Sequence, residues 1–130
     1  MIADLSVNES AFFIVSANEL YSEDMLFVKK DEEYEFYCDG DQHWKHLFIS
    51  TGPDGYINPL ASLAGLRVRH AKYFCLCGVY DIDDNTSFVI GSRCIVHINR
   101  LGMISFFAND TKGYYGHNSG SIRLNVTRLQ

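Results

Sequence analysis

The run Ser121–Arg128, SIRLNVTR, alternates without a break: Ile122, Leu124 and Val126 fall on one side of an extended chain, and Arg123, Asn125 and Thr127 on the other. Successive side chains of a strand point to opposite faces, so this pattern fits a half-buried β-strand and no helix. The same signature recurs along the chain. Tyr34, Phe36 and Cys38 share a face against Glu35 and Tyr37, and residues 11–17, 26–29, 46–50, 73–80, 87–99 and 103–108 are rich in Phe, Val, Ile and Tyr. Turn formers separate these runs at residues 22–24, 39–41, 52–55, 81–85 and 99–102. Only residues 59–66 have helical spacing, enough for one short turn. Many short strands with regular punctuation predict an all-β, jelly-roll-like β-sandwich. At 130 residues the sequence is read as a single domain spanning residues 1–130.

Charge excludes some functions. The net charge is −5 and the eleven Lys and Arg are scattered, so there is no basic stripe to neutralise phosphates, and a nucleic-acid partner is not expected. No apolar run approaches the ~20 residues of a membrane helix, so membrane insertion is not expected either. The start, MIADLSVNES, lacks the basic and apolar regions of a signal peptide, which makes a cytoplasmic origin the expectation.

Catalytic and metal-binding patterns are weak. Cys75 and Cys77 stand two apart in the apolar run YFCLCGV, which is no zinc knuckle; buried thiols are the expectation. His43 and His46 flank Trp44, while His70 and His97 are far apart. Ser119 lies in His-Asn-Ser-Gly, not in a nucleophile elbow. Asp81, Asp83 and Asp84 form the densest acidic run and read as a solvated turn between strands. No active site emerges, and the expectation is a protein that is not an enzyme.

The stretch 109–121, NDTKGYYGHNSGS, is different. It gathers Asp110, His117 and Asn118 with Gly113, Gly116 and Gly120 between two β-patterned runs. Hard cations take carboxylate, amide and carbonyl oxygens, and glycines allow the sharp turns that aim several such oxygens at one point. A cation loop is one reading, and a polar hairpin loop without ligand is the other.

The order of residues in this stretch resembles the signature of the LecA-like (PA-I) family of calcium-dependent galactose-binding lectins, Asn-Asp-x-x-Gly-x-Tyr-Gly-Asn-Asn-Ser-Gly-Ser. Asn109, Asp110, Gly113, Tyr115, Gly116, Asn118, Ser119, Gly120 and Ser121 fit it without a gap, and the similarity extends over residues 102–126. The resemblance implies a galactoside-binding protein, a Ca2+ ion, and a homo-oligomer that gains strength from several weak sites. It also leaves release from the cell open, because family members without a classical signal reach sugars outside. Its metal ligands would be the side chains of Asp110 and Asn118, the backbone carbonyls of Tyr114 and Trp44, and the residue at His117. Its sugar contacts would be Asp110, Thr111, Tyr114, His117 and, in the middle of the chain, Asn58; Trp44, Tyr56 and Tyr114 are candidate stacking rings. One departure stands out. The family has asparagine where this chain has His117, and imidazole offers nitrogen rather than the oxygen calcium prefers. The alternative is a non-catalytic interaction or structural β-sandwich that has lost both metal and sugar.

Overall fold

The computed structural model describes the backbone of residues 1–130 and every side chain except that of Ser62. In chain order the strands are β1 (Ile2–Ala3), β2 (Ser10–Ser16), β3 (Met25–Val28), β4 (Glu33–Tyr37), β5 (Trp44–His46) and β6 (Ile49–Thr51). A one-turn helix α1 (Pro59–Leu63) follows, then β7 (Leu76–Tyr80), β8 (Phe88–Val89), β9 (Arg93–His97), β10 (Gly102–Ala108), β11 (Asn118–Ser119) and β12 (Ser121–Arg128). Short 3-10 turns occupy Asp84–Thr86 and Tyr115–His117. No helix among the described residues is long and apolar enough to cross a membrane.

The expected β-sandwich is the architecture observed. One sheet has the order β1-β3-β10-β7-β8 and the other β2-β12-β4-β9; a three-stranded sheet, β11-β5-β6, closes one end. The alternating strand β12 lies between β2 and β4, pairing antiparallel with both. Its inward residues Ile122, Leu124 and Val126 are fully buried, as are Tyr34 and Phe36 on β4. Phe13 and Phe106 meet across the sheets at 5.3 Å between ring centroids, and Phe36 packs edge-on against Phe106 and Phe88. Burying each such side chain contributes about 1.5–3 kcal/mol.

Three expected strands are shorter or divided, and each break has a backbone cause. Residues 46–50 form a hairpin instead of one strand, because Leu47 takes a φ of 53° and reverses the chain between β5 and β6. Residues 87–99 split into β8 and β9 at Gly91, whose φ is 66°. The run 73–80 is regular only from Leu76, because Phe74 has a φ of 65°. That conformation is uncommon for an aromatic residue and needs surrounding support. Trp44 Nε1 donates to the Phe74 carbonyl (3.1 Å), and the Phe74 amide donates to the Asn109 carbonyl (2.7 Å). The acidic run is not a simple solvated turn either. Asp84 accepts from the Arg67 guanidinium at 3.0 and 3.2 Å and from the Tyr21 hydroxyl at 2.7 Å.

Candidate functional site

The motif loop is built first as structure. Asn109 is fully buried and staples the segment before β7: its Oδ1 accepts from the Val68 amide (2.9 Å), and its Nδ2 donates to the carbonyls of Val68 and Lys72 (3.0 and 3.1 Å). The Tyr115 hydroxyl donates to the Ala108 carbonyl at 2.5 Å and accepts from Arg67 Nη1 at 2.9 Å. The Arg67 guanidinium lies 3.5 Å from the Phe107 ring centroid, a buried cation–π platform under the loop. Burial raises the Asp84 pKa, but the bonds from Arg67, Tyr21 and Lys112 outweigh it and bring the carboxyl down to about 2. Gly120, at φ 84°, lets the chain pass Trp44; a Cβ there would lie 3.3 Å from the Trp44 Cα. Gly116, by contrast, does not have a positive φ.

Asp110 is the centre of the polar groups. It is 2 % exposed. Its Oδ1 accepts from the Thr111 amide (2.7 Å) and its Oδ2 from Asn118 Nδ2 (3.0 Å). Burial first, then the charge of the neighbouring Asp110 carboxylate, holds the Tyr73 phenol well above its ordinary pKa. Asn118 Nδ2 also donates to the Ala17 carbonyl (3.0 Å), an atom that only accepts, which fixes the orientation of the amide. The Asn118 oxygen therefore faces His46 Nδ1 at 2.8 Å, and that ring nitrogen lies 3.9 Å from Asp110 Oδ2. Strand pairing brings them together, since Asn118 on β11 stands opposite His46 on β5.

Beside this network is an open cleft of about 410 Å³. Asp110, Thr111 and Tyr114 come to it from the loop, His46, Leu47 and Ile49 from the β5–β6 hairpin, and Tyr56, Asn58, Leu60, Ala61 and Ala64 from α1 and its approach, with Tyr73 between. The rings of Tyr56 and Tyr73 are 5.4 Å apart, and the Tyr56 hydroxyl is buried without a hydrogen-bond partner among the described residues. Such a volume is in the range of ligand pockets, and a few convergent polar groups among apolar and aromatic walls are their usual lining.

The residues singled out by sequence divide between cleft and frame. Asp110, Thr111, Tyr114 and Asn58 line the cleft together. Asn58 also caps α1, its Oδ1 accepting from the Ala61 amide at 3.2 Å. His117 is exposed and outside the cleft lining, its ring 6.5 Å from that of His46. Trp44 is fully buried in the core, so it is not a stacking surface; Tyr56 and Tyr114 keep that position. Cys75 and Cys77 are buried thiols with sulfurs 3.6 Å apart. Sequence reasoning missed His46 and Tyr73 as parts of the site. The available signal for His46 was its spacing of two from Trp44, which puts both on one face of β5.

A calcium ion needs six to eight oxygens converging on one point. Between Asp110 and Asn118 the chain presents a nitrogen donor instead, and the Tyr114 carbonyl accepts from the His117 amide at 3.2 Å. A cation shared by Asp110 and Asn118 would need the amide oxygen where Nδ2 now serves Ala17. As arranged, the residues present do not fit such an ion.

No sequence-family profile and no curated protein matches the chain. Among solved structures, the fold is similar to the N-terminal domain of EclA, described as a PllA-like lectin. The TM-score is 0.66 at 17% identity, over 90% of this chain and 94% of that one. A likeness of this kind establishes a lectin-like β-sandwich fold.

Proposed function

We propose that this domain is a non-catalytic, carbohydrate-binding lectin, and that galactose-type sugars bind in the cleft between α1, the β5–β6 hairpin and the 109–121 loop. The observation that carries this reading is the meeting of Asp110, Thr111 and Tyr73 with the aromatic walls Tyr56 and Tyr114 in one open cleft. A pyranose has one apolar face and a rim of hydroxyls. The face suits a tyrosine ring, and the hydroxyls suit a carboxylate acceptor, whose hydrogen bonds are charge-assisted and strong. The lectin-like fold and the motif resemblance both favour sugar as the ligand. Open single sites of this type bind weakly, so useful avidity would come from several copies in a homo-oligomer.

A second reading, a protein-interaction domain without sugar, has its own supporting observation. Phe48 at the tip of the β5–β6 hairpin is 97 % exposed, and Leu60 and Leu63 on α1 are 79 % and 85 % exposed. Exposed apolar clusters mark binding surfaces for other proteins too.

A glycan array run in calcium and in chelator tests the first reading, with an Ala64→Trp variant alongside. Ala64 is exposed at the cleft, so the added indole is placed to fill the space the sugar would take. Galactoside retention by the parent and its loss in the variant is the expected result. No retained glycan in either buffer would leave the interaction reading standing.

A further inference from the structure

We infer that His46 takes the place a bridging cation would hold, so that the site binds its sugar through direct hydrogen bonds and without a divalent ion. The sugar arm rests on the carbohydrate-binding reading; the metal arm does not. Asn118 Oδ1 can only accept, so the His46 Nδ1 facing it at 2.8 Å carries the hydrogen. The neutral imidazole suffices for this. Asn118 then passes the link on, Nδ2 donating to Asp110 Oδ2 at 3.0 Å and to the Ala17 carbonyl at 3.0 Å. The three side chains form one chain of donors and acceptors from β5 to the motif loop.

Packing holds the ring in this role. His46 lies edge-on to Tyr73 at 5.5 Å and tilted against Phe74 at 5.9 Å, with 19 % of its side chain exposed. The residue opposite on β11 is Asn118 by strand register, so the contact follows from the sheet and not from a loop's choice of conformation. A carboxylate held by Thr111 N on one oxygen and Asn118 Nδ2 on the other is fixed in orientation without a metal, and its remaining lone pairs serve a sugar hydroxyl. His46 is thus a positioning residue, acting on the ligand through Asn118 and Asp110.

The test uses the intact protein in three measurements. Thermal unfolding without sugar, in calcium and in chelator, is expected to give melting temperatures equal within about 1 °C, since an ion that does not bind the folded state cannot stabilise it. Imidazole nitrogen NMR is expected to place the His46 hydrogen on Nδ1 in both buffers. Calorimetry with methyl galactoside is expected to give the same affinity within about twofold in both buffers, a loss of about tenfold in His46→Ala, and recovery in His46→Gln, whose amide again donates toward Asn118. A saturable rise of several degrees with calcium, abolished in Asp110→Asn, would overturn the inference while leaving sugar binding intact. So would a hydrogen on Nε2. Failure of galactoside to bind in either buffer would refute the sugar reading instead, and the unfolding and NMR results would still decide the metal arm.

Discussion

Replacing Asn118 by aspartate exchanges one amide NH2 for an oxygen and leaves the shape unchanged. The nitrogen that donates to Asp110 Oδ2 and to the Ala17 carbonyl, each at 3.0 Å, becomes an oxygen facing two acceptors. Two buried hydrogen bonds are lost, and each partner left unsatisfied costs about 1–3 kcal/mol. Two carboxylates about 3 Å apart repel by roughly 5 kcal/mol at an effective dielectric constant near 20. The pair escapes part of that cost by taking up a proton, which raises its folded-state pKa above the unfolded value. Together these terms predict an Asn118→Asp variant about 3–5 kcal/mol less stable at neutral pH, so that it melts about 10–20 °C lower than the parent. The sign with pH follows. A carboxyl whose folded pKa is raised favours folding at low pH, so the deficit is smallest below the unfolded carboxyl value near 4 and grows as pH rises through the raised one. Calcium should rescue the variant, because two facing carboxylates make a hard-cation site, and should do nothing for the parent. Scanning calorimetry across pH, with and without calcium, reads all of this. A variant melting with the parent would refute the geometry. So would a parent with the same calcium response.

Four further outcomes are expected. Asp84→Asn should be nearly as stable as the parent at pH 2 and about 2 kcal/mol less stable above pH 4, because the Asp84 carboxyl, held down to about 2, stabilises the fold in full above its unfolded value and loses that as pH falls through the folded one; denaturant titrations at both pH values check it. Gly120→Ala should cost about 1–3 kcal/mol by the same titrations, since its φ of 84° and the Trp44 Cα at 3.3 Å both oppose a Cβ. Phe106→Ala should cost about 3–5 kcal/mol, because that ring joins Phe13 and Phe36 across the sandwich. His117→Asn, despite restoring the residue typical of the resembled family, should leave galactoside affinity in chelator unchanged by calorimetry, because His117 is exposed and outside the cleft lining.

Period-two alternation made the sandwich legible in the sequence, since burial on one face leaves a mark at every second residue. Ile122, Leu124, Val126, Tyr34 and Phe36 are buried as that pattern requires. Leu47 and Phe74 left no such mark. Both lie in apolar runs, and their left-handed backbone is held by distant partners, the His117 carbonyl accepting from Leu47 N and the Asn109 carbonyl from Phe74 N. The motif loop was conspicuous, yet much of its conspicuous chemistry is framework. Asn109 staples, Tyr115 anchors and Gly120 makes room. The cleft itself is assembled from segments around residues 46, 56–64, 73 and 110–114, and no local spacing announces that meeting. His46 was visible only as a histidine near the single tryptophan. Its register opposite Asn118 exists only once β11 pairs with β5.

The central claim is direct sugar recognition in the cleft, and calorimetric titration in chelator tests it most simply. Methyl galactoside and methyl glucoside differ at one hydroxyl, so a site reading hydroxyls through Asp110, Thr111 and Tyr73 should favour galactoside by about 1–3 kcal/mol. The account predicts that this preference is present in chelator, unchanged by calcium, and absent in Ala64→Trp. Equal heats for both sugars, or galactoside binding that appears only when calcium is added, would contradict it.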